Sequence, residues 1–114
     1  MKSSRRPVPM PRMVEIGGLK IRIRELKRLP KAEGKYKTIG WFDSGTPEIV
    51  LAKDILKETK RFTLLHEIAH AAAWQHSIFL KGKNEEMLCD GFARVVIDLL
   101  RRNPKLMEWL NDGS

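Results

Sequence analysis

The stretch Arg61-Phe62-Thr63-Leu64-Leu65-His66-Glu67-Ile68-Ala69-His70-Ala71-Ala72-Ala73 constrains this chain more than any other. Residues four apart on a helix lie one turn apart on one face, so His66 and His70 can hold a single metal ion together. Glu67 is turned about 100° from His66 and roughly 60° from His70 by the helical period. It lies beside the pair and is not a ligand itself. That HExxH arrangement matches a definite chemistry. Zinc lowers the pKa of a water, and the neighbouring glutamate takes the proton as the water attacks a carbonyl.

The rest of the helix sets these three residues apart. With His66 at zero, Thr63, Glu67, His70 and Trp74 fall in one wedge of about 100°. Phe62, Leu64, Leu65, Ile68, Ala69, Ala72 and Ala73 fill the opposite side. A segment this apolar belongs in a core, where two imidazoles and a carboxylate are costly without partners. The plainer alternative is a set of buried polar side chains satisfied by hydrogen bonds, so the downstream sequence must decide.

A zinc site that keeps an open position takes three protein ligands. Asn84 to Leu100 reads as a second helix, with Cys89, Ala93, Val96 and Leu100 as its apolar stripe and Arg94, Asp98 and Arg101 opposite. Glu86 and Asp90 stand four apart at the stripe's edge. Glu86 is the expected third ligand, and Asp90 the acceptor for the outer nitrogen of a ligand histidine, an arrangement that fixes the tautomer. Glu85 is the alternative third ligand, because helix starts are uncertain by a residue or two.

HExxH followed by E-x-x-x-D on a second helix resembles the gluzincin zinc peptidases. The run Glu86-x-x-Cys89-Asp90-x-Phe92-Ala93 is similar to the E-x-x-A-N-x-F-A signature of the ImmA/IrrE-like metallopeptidases, which are common in bacteria, mobile elements and phages. Gly40-Trp41-Phe42, Glu48-Ile49-Val50-Leu51 and Thr63-Leu64-Leu65-His66 resemble that family's strand–turn–strand leading into the zinc helix. The resemblance covers roughly residues 36 to 102. Two positions depart from it: Cys89 stands for alanine, and Asp90 for asparagine. A SprT-like protease acting on DNA-bound proteins is the alternative within the same clan. The resemblance implies a zincin-like fold and one specific intracellular substrate, such as a repressor. It also implies extended substrate added to a sheet edge at Ile49-Val50-Leu51 or its neighbour.

Composition bounds the rest. The 114 residues suffice for one domain with one core. The first 37 residues hold 12 Lys or Arg against 3 Glu, so the net charge of +8 is almost wholly N-terminal. A basic region of this kind suits nucleic acid, an acidic protein or an anionic surface, and equally a solvated face. The single Cys89 excludes an internal disulfide and fits a reducing, cytoplasmic setting. No stretch approaches 18 apolar residues, and Met1 to Arg6 has no apolar run behind it.

In order, residues 1 to 12, with Pro7, Pro9 and Pro11, read as a flexible basic arm, and 13 to 114 as a single metallopeptidase domain. Alternation on both sides of Gly17-Gly18 reads as a β-hairpin whose polar face is Lys20, Arg22 and Arg24. Tyr36 to Phe42 and Glu48 to Leu51 are expected strands around a turn at Asp43 to Pro47. Asp54 to Lys60 is a short helical lead into the zinc helix, which ends near His76. Ser77 to Asn84 is a loop, and Asn103-Pro104 starts a last helix that Leu106, Met107, Trp109 and Leu110 fix to the body. Tyr36 and His76 are the distant side chains able to stabilise an oxyanion.

The expected architecture is α+β, a short antiparallel sheet followed by three helices with zinc between the first two. The expected activity is zinc-dependent peptide hydrolysis, with His66, His70 and Glu86 on the metal and Glu67 as base. The competing class is a non-catalytic zinc-containing module that binds nucleic acid or protein, supported by the basic N-terminal third.

Overall fold

A computed structural model describes residues 8–27, 39–76 and 82–112. Strands β1 (Met13–Ile16) and β2 (Leu19–Leu26) form the expected hairpin, paired Ile16 to Leu19 through Glu15 to Lys20. Gly17 and Gly18 both take positive φ, 54° and 84°. A two-residue loop of this twist needs that backbone, which glycine adopts without a steric cost. Strands β3 (Gly40–Asp43) and β4 (Glu48–Ala52) are antiparallel around the turn, where the Gly45 N–H donates to Asp43 Oδ1 at 2.9 Å. The expected strand residues before Ile39 lie outside the described part.

The sheet is mixed, and here the expectation of an antiparallel sheet needs correction. Its order is β1-β2-β4-β3, with β4 running parallel to β2, Ile23 beside Ile49 and Glu25 beside Leu51. β4 inserts between β2 and β3. The signal was a continuous apolar run: Ile49, Val50 and Leu51 are all fully buried, as suits a strand covered on both faces.

Ile21, Ile23, Ile49 and Leu51 on one face of the sheet make the core with Ala71, and Leu64, Ile68 and Phe42 pack against it. The helix supplying Ala71 is α1 (Lys57–Gln75), followed by α2 (Gly82–Arg102) and α3 (Pro104–Leu110). Asp54 lies before α1, not in it, and residues 82 to 84, expected in a loop, already belong to α2. α1 and α2 run antiparallel. Arg101 near the end of α2 donates to both oxygens of Glu58 at the start of α1, at 2.6 and 2.8 Å. The Arg94 guanidinium lies over the Phe62 ring, 5.0 Å from its centroid.

Three further expectations change. Of the expected arm, residues 8 to 12 lie on the domain: Met10 packs on the core and the Arg12 carbonyl accepts from the Ile23 N–H at 2.9 Å. On the polar face of the hairpin, Arg24 is held by both carboxylate oxygens of Glu48, at 2.9 and 3.1 Å, so only Lys20 and Arg22 remain as exposed cations there. Trp109 is 71% exposed and Met107 half-buried, so α3 does not use them as core. Seven residues leave α3 too short to lay an apolar face on anything but α2. No helix among the described residues is long and apolar enough to cross a membrane.

Candidate metal centre

The chemical wedge of α1 holds its two buried polar side chains, Thr63 and Glu67, while Trp74 at its end is 42% exposed. Thr63, Glu67 and Ala71, spaced at four residues, are buried where α1 meets strand β3 and helix α2, and Ala73 is buried on the other side of the helix. Leu64 and Ile68 meet the sheet core while remaining partly exposed. The helix is therefore apolar on most sides, and its polar residues are the ones that must find partners inside.

They find them on α2. His66 Nδ1 lies 2.6 Å from Asp90 Oδ1, and His70 Nδ1 lies 2.6 Å from Glu85 Oε2. With each Nδ1–H donated to a carboxylate, each Nε2 carries its lone pair inward. The two Nε2 atoms stand 3.1 Å apart. Glu86 closes the third corner, with Oε2 at 3.3 Å from His66 Nε2 and Oε1 at 2.5 Å from His70 Nε2. One donor atom from each of His66, His70 and Glu86 falls within 4.8 Å of the others. Neighbouring donors on a tetrahedral zinc with bonds of ~2.1 Å stand roughly 3.4 Å apart, so the set fits such an ion with small side-chain shifts. The cluster also gathers four carboxyl groups, Glu67, Glu85, Glu86 and Asp90, around two imidazoles. A divalent cation there would offset that excess of acid.

No protein-family model matches this chain, and no curated protein or solved structure matches it significantly. The reading of the site therefore rests on its geometry.

Between Glu85 and Glu86 the structure separates two roles. Glu86 points at the paired Nε2 atoms, whereas Glu85 holds the back of His70. That second partner was not foreseen. The signal was available, since two ligand histidines call for two outer acceptors, and the only acidic residues of α2 near Glu86 are Glu85 and Asp90. Glu67 is 7% exposed and lines the cleft beside His70 and Glu86. Burial pushes its carboxyl above the ordinary carboxylate value, although the two imidazoles pull the other way. Burial also opposes charging of His70, but the Glu85 hydrogen bond and the charges of Glu67 and Glu86 outweigh it and raise its pKa.

The cleft in front of these groups measures about 470 Å³ and is bounded by Gly40, Trp41 and Phe42 of β3, by Ser44 of the turn after it, and by Trp74 of α1. Phe42 and Trp74 meet at 5.7 Å between ring centroids. β3 is the sheet's edge on this side, while β4 is paired along both sides. Ile49-Val50-Leu51 is thus excluded as a docking edge, and among the described residues its neighbour β3 is unpaired on its outer side. His76 caps the far end of α1, and Tyr36 lies outside the described residues. Cys89 is buried, and burial with the surrounding carboxylates pushes its thiol up to about 12, as suits a small core group with no reactivity.

Proposed function

We propose that this chain is a zinc-dependent metalloendopeptidase of the minimal gluzincin type, acting in the cytoplasm on a specific protein. One observation carries the reading: two imidazole Nε2 atoms and the Glu86 carboxylate converge while both Nδ1 atoms are engaged by carboxylates. A hydrogen-bonded core has no need to aim three donors at one point, and a structural zinc site is normally closed by a fourth Cys or His. The open side here faces a cleft.

His66, His70 and Glu86 would hold the ion, which when bound supplies an acidified water and polarises the scissile carbonyl. The chain does the rest. Asp90 and Glu85 keep both imidazoles in the Nδ1–H tautomer. Glu67, its carboxyl raised by burial, takes the proton of the attacking water and delivers it to the leaving amine. Trp41, Phe42 and Trp74 give the cleft apolar walls, and the free edge of β3 suits an extended peptide. The ImmA/IrrE-like resemblance makes a regulatory protein the substrate class proposed, in a phage or mobile-element setting.

The test is metal content after purification without added metal, followed by hydrolysis of candidate substrates. Near-stoichiometric zinc in the parent and its loss in Glu86→Ala are expected. Glu67→Gln should keep the zinc and lose peptide hydrolysis by at least about 100-fold, the usual reach of a general base. A folded parent with no zinc would remove the metallopeptidase reading.

A further inference from the structure

The outer face of α2 carries a pattern of which the candidate metal centre uses only Glu85, the partner of His70. Glu85, Leu88, Phe92, Val95, Leu99 and Arg102 follow one another at alternating intervals of three and four residues. That is a heptad seam, about 25 Å long on an α-helix. It faces outward: Leu88 is 53% exposed, Phe92 43%, Val95 62% and Leu99 41%. Only Cys89 and Ala93 of α2 are buried, on the flank turned about 110° from the middle of the seam, against α1. A monomer seldom leaves four large side chains in one continuous row on solvent.

The seam is self-complementary in one orientation. We propose that it joins two copies of this chain through an antiparallel α2–α2 pair about a two-fold axis between Phe92 and Val95. In that register Leu88 meets Leu99 of the second copy and Phe92 meets its Val95. At both ends Glu85 meets Arg102 of the second copy. A parallel pair would instead set Glu85 against Glu85 and Arg102 against Arg102, a like-charge clash at each end. The charges are placed for the antiparallel form. Arg102 is 75% exposed in its side chain and gives Nε to Asp98. Glu85 gives Oε2 to His70. Gly91, beside the seam, would meet nothing within 4 Å even with a Cβ added, so the backbones can approach there. Isologous two-fold contacts of this kind are the commonest route to oligomers. The pairing does not depend on the metal reading. It does bring a guanidinium from the second copy to the carboxylate that holds His70, and so to the rim of the cleft.

Sedimentation equilibrium of the full chain up to millimolar concentration tests this directly. A monomer–dimer equilibrium is expected, and Val95→Glu, at an exposed position, should weaken it by more than about 100-fold through a charge left unpaired in the seam. Circular dichroism confirms that the variant is folded. The register is read by oxidising Leu88→Cys and Leu99→Cys chains, separately and mixed. A disulfide between unlike chains, with little in either alone, is the expected result. A parent that stays monomeric, an association indifferent to Val95→Glu, or Leu88→Cys chains that cross-link with themselves would each overturn the proposal.

Discussion

At the scale of single residues, the centre depends on what stands behind each imidazole. An imidazole with its Nδ1–H held by a carboxylate is oriented and made more basic, and losing the partner weakens metal binding by about 10- to 100-fold. Asp90→Ala and Glu85→Ala should each do so, by competition with a chromophoric chelator. An unchanged affinity in either would detach that carboxylate from the site. The two variants should differ in a second respect. Asp90 has a side chain half exposed, whereas Glu85 is 27% exposed and also sits on the outer seam of α2. Only Glu85→Ala should alter self-association as well.

At the scale of elements, the close approach of β3 to α1 fixes the width of the cleft. A Cβ at Gly40 would stand 2.8 Å from Thr63 Cγ2, 3.0 Å from Leu51 Cδ2 and 3.2 Å from the Val50 carbonyl oxygen. Thr63 cannot turn aside cheaply, because its hydroxyl donates to the Thr59 carbonyl at 2.7 Å. Gly40→Ala should therefore cost about 1–3 kcal/mol, the usual result of overfilling a packed contact, read as a lower denaturant midpoint with unchanged slope. At the other end of the helix pair, the Arg101 hydrogen bonds hold the Glu58 carboxyl down to about 2. Its folded pKa lies below its unfolded one, so this tie is present above the ordinary carboxylate range. It fades only as pH falls toward 2.

Elements were legible where one local pattern decided them. Gly17-Gly18 between alternating strands and the HExxH helix came through, because each is set by contacts within a few residues. The parallel pairing of β4 with β2 depends on where the chain returns after Leu26, which no short-range pattern records; only the unbroken Ile49-Val50-Leu51 run hinted at it. The same holds for the site. His66, Glu67 and His70 follow from helical spacing alone. The sequence favours Glu86 over Glu85 because it places Asp90 four residues on, but that Glu85 backs His70 needed the register of α2 on α1. Trp109 misled, because an aromatic on a seven-residue helix signals core only if a second surface is there to cover it.

For the whole molecule, the sheet and α1 share one core, while α2 is attached through Cys89, Ala93 and a few polar ties. Most of the polar centre spans that junction, with His66 and His70 on one side and Glu86 on the other. An ion bound at 1,000 times its dissociation constant would add about 4 kcal/mol to the folded state. Chelation should consequently lower the melting temperature. In hydrogen exchange, amides of α2 should lose protection on chelation while those of β2 and β4 keep theirs. Equal loss across all three would place the junction elsewhere. A cation at His66, His70 and Glu86 would act as a clasp between the sheet with α1 and the more lightly attached α2. Removing such an ion would then abolish the proposed chemistry and loosen the wall of the cleft in the same event.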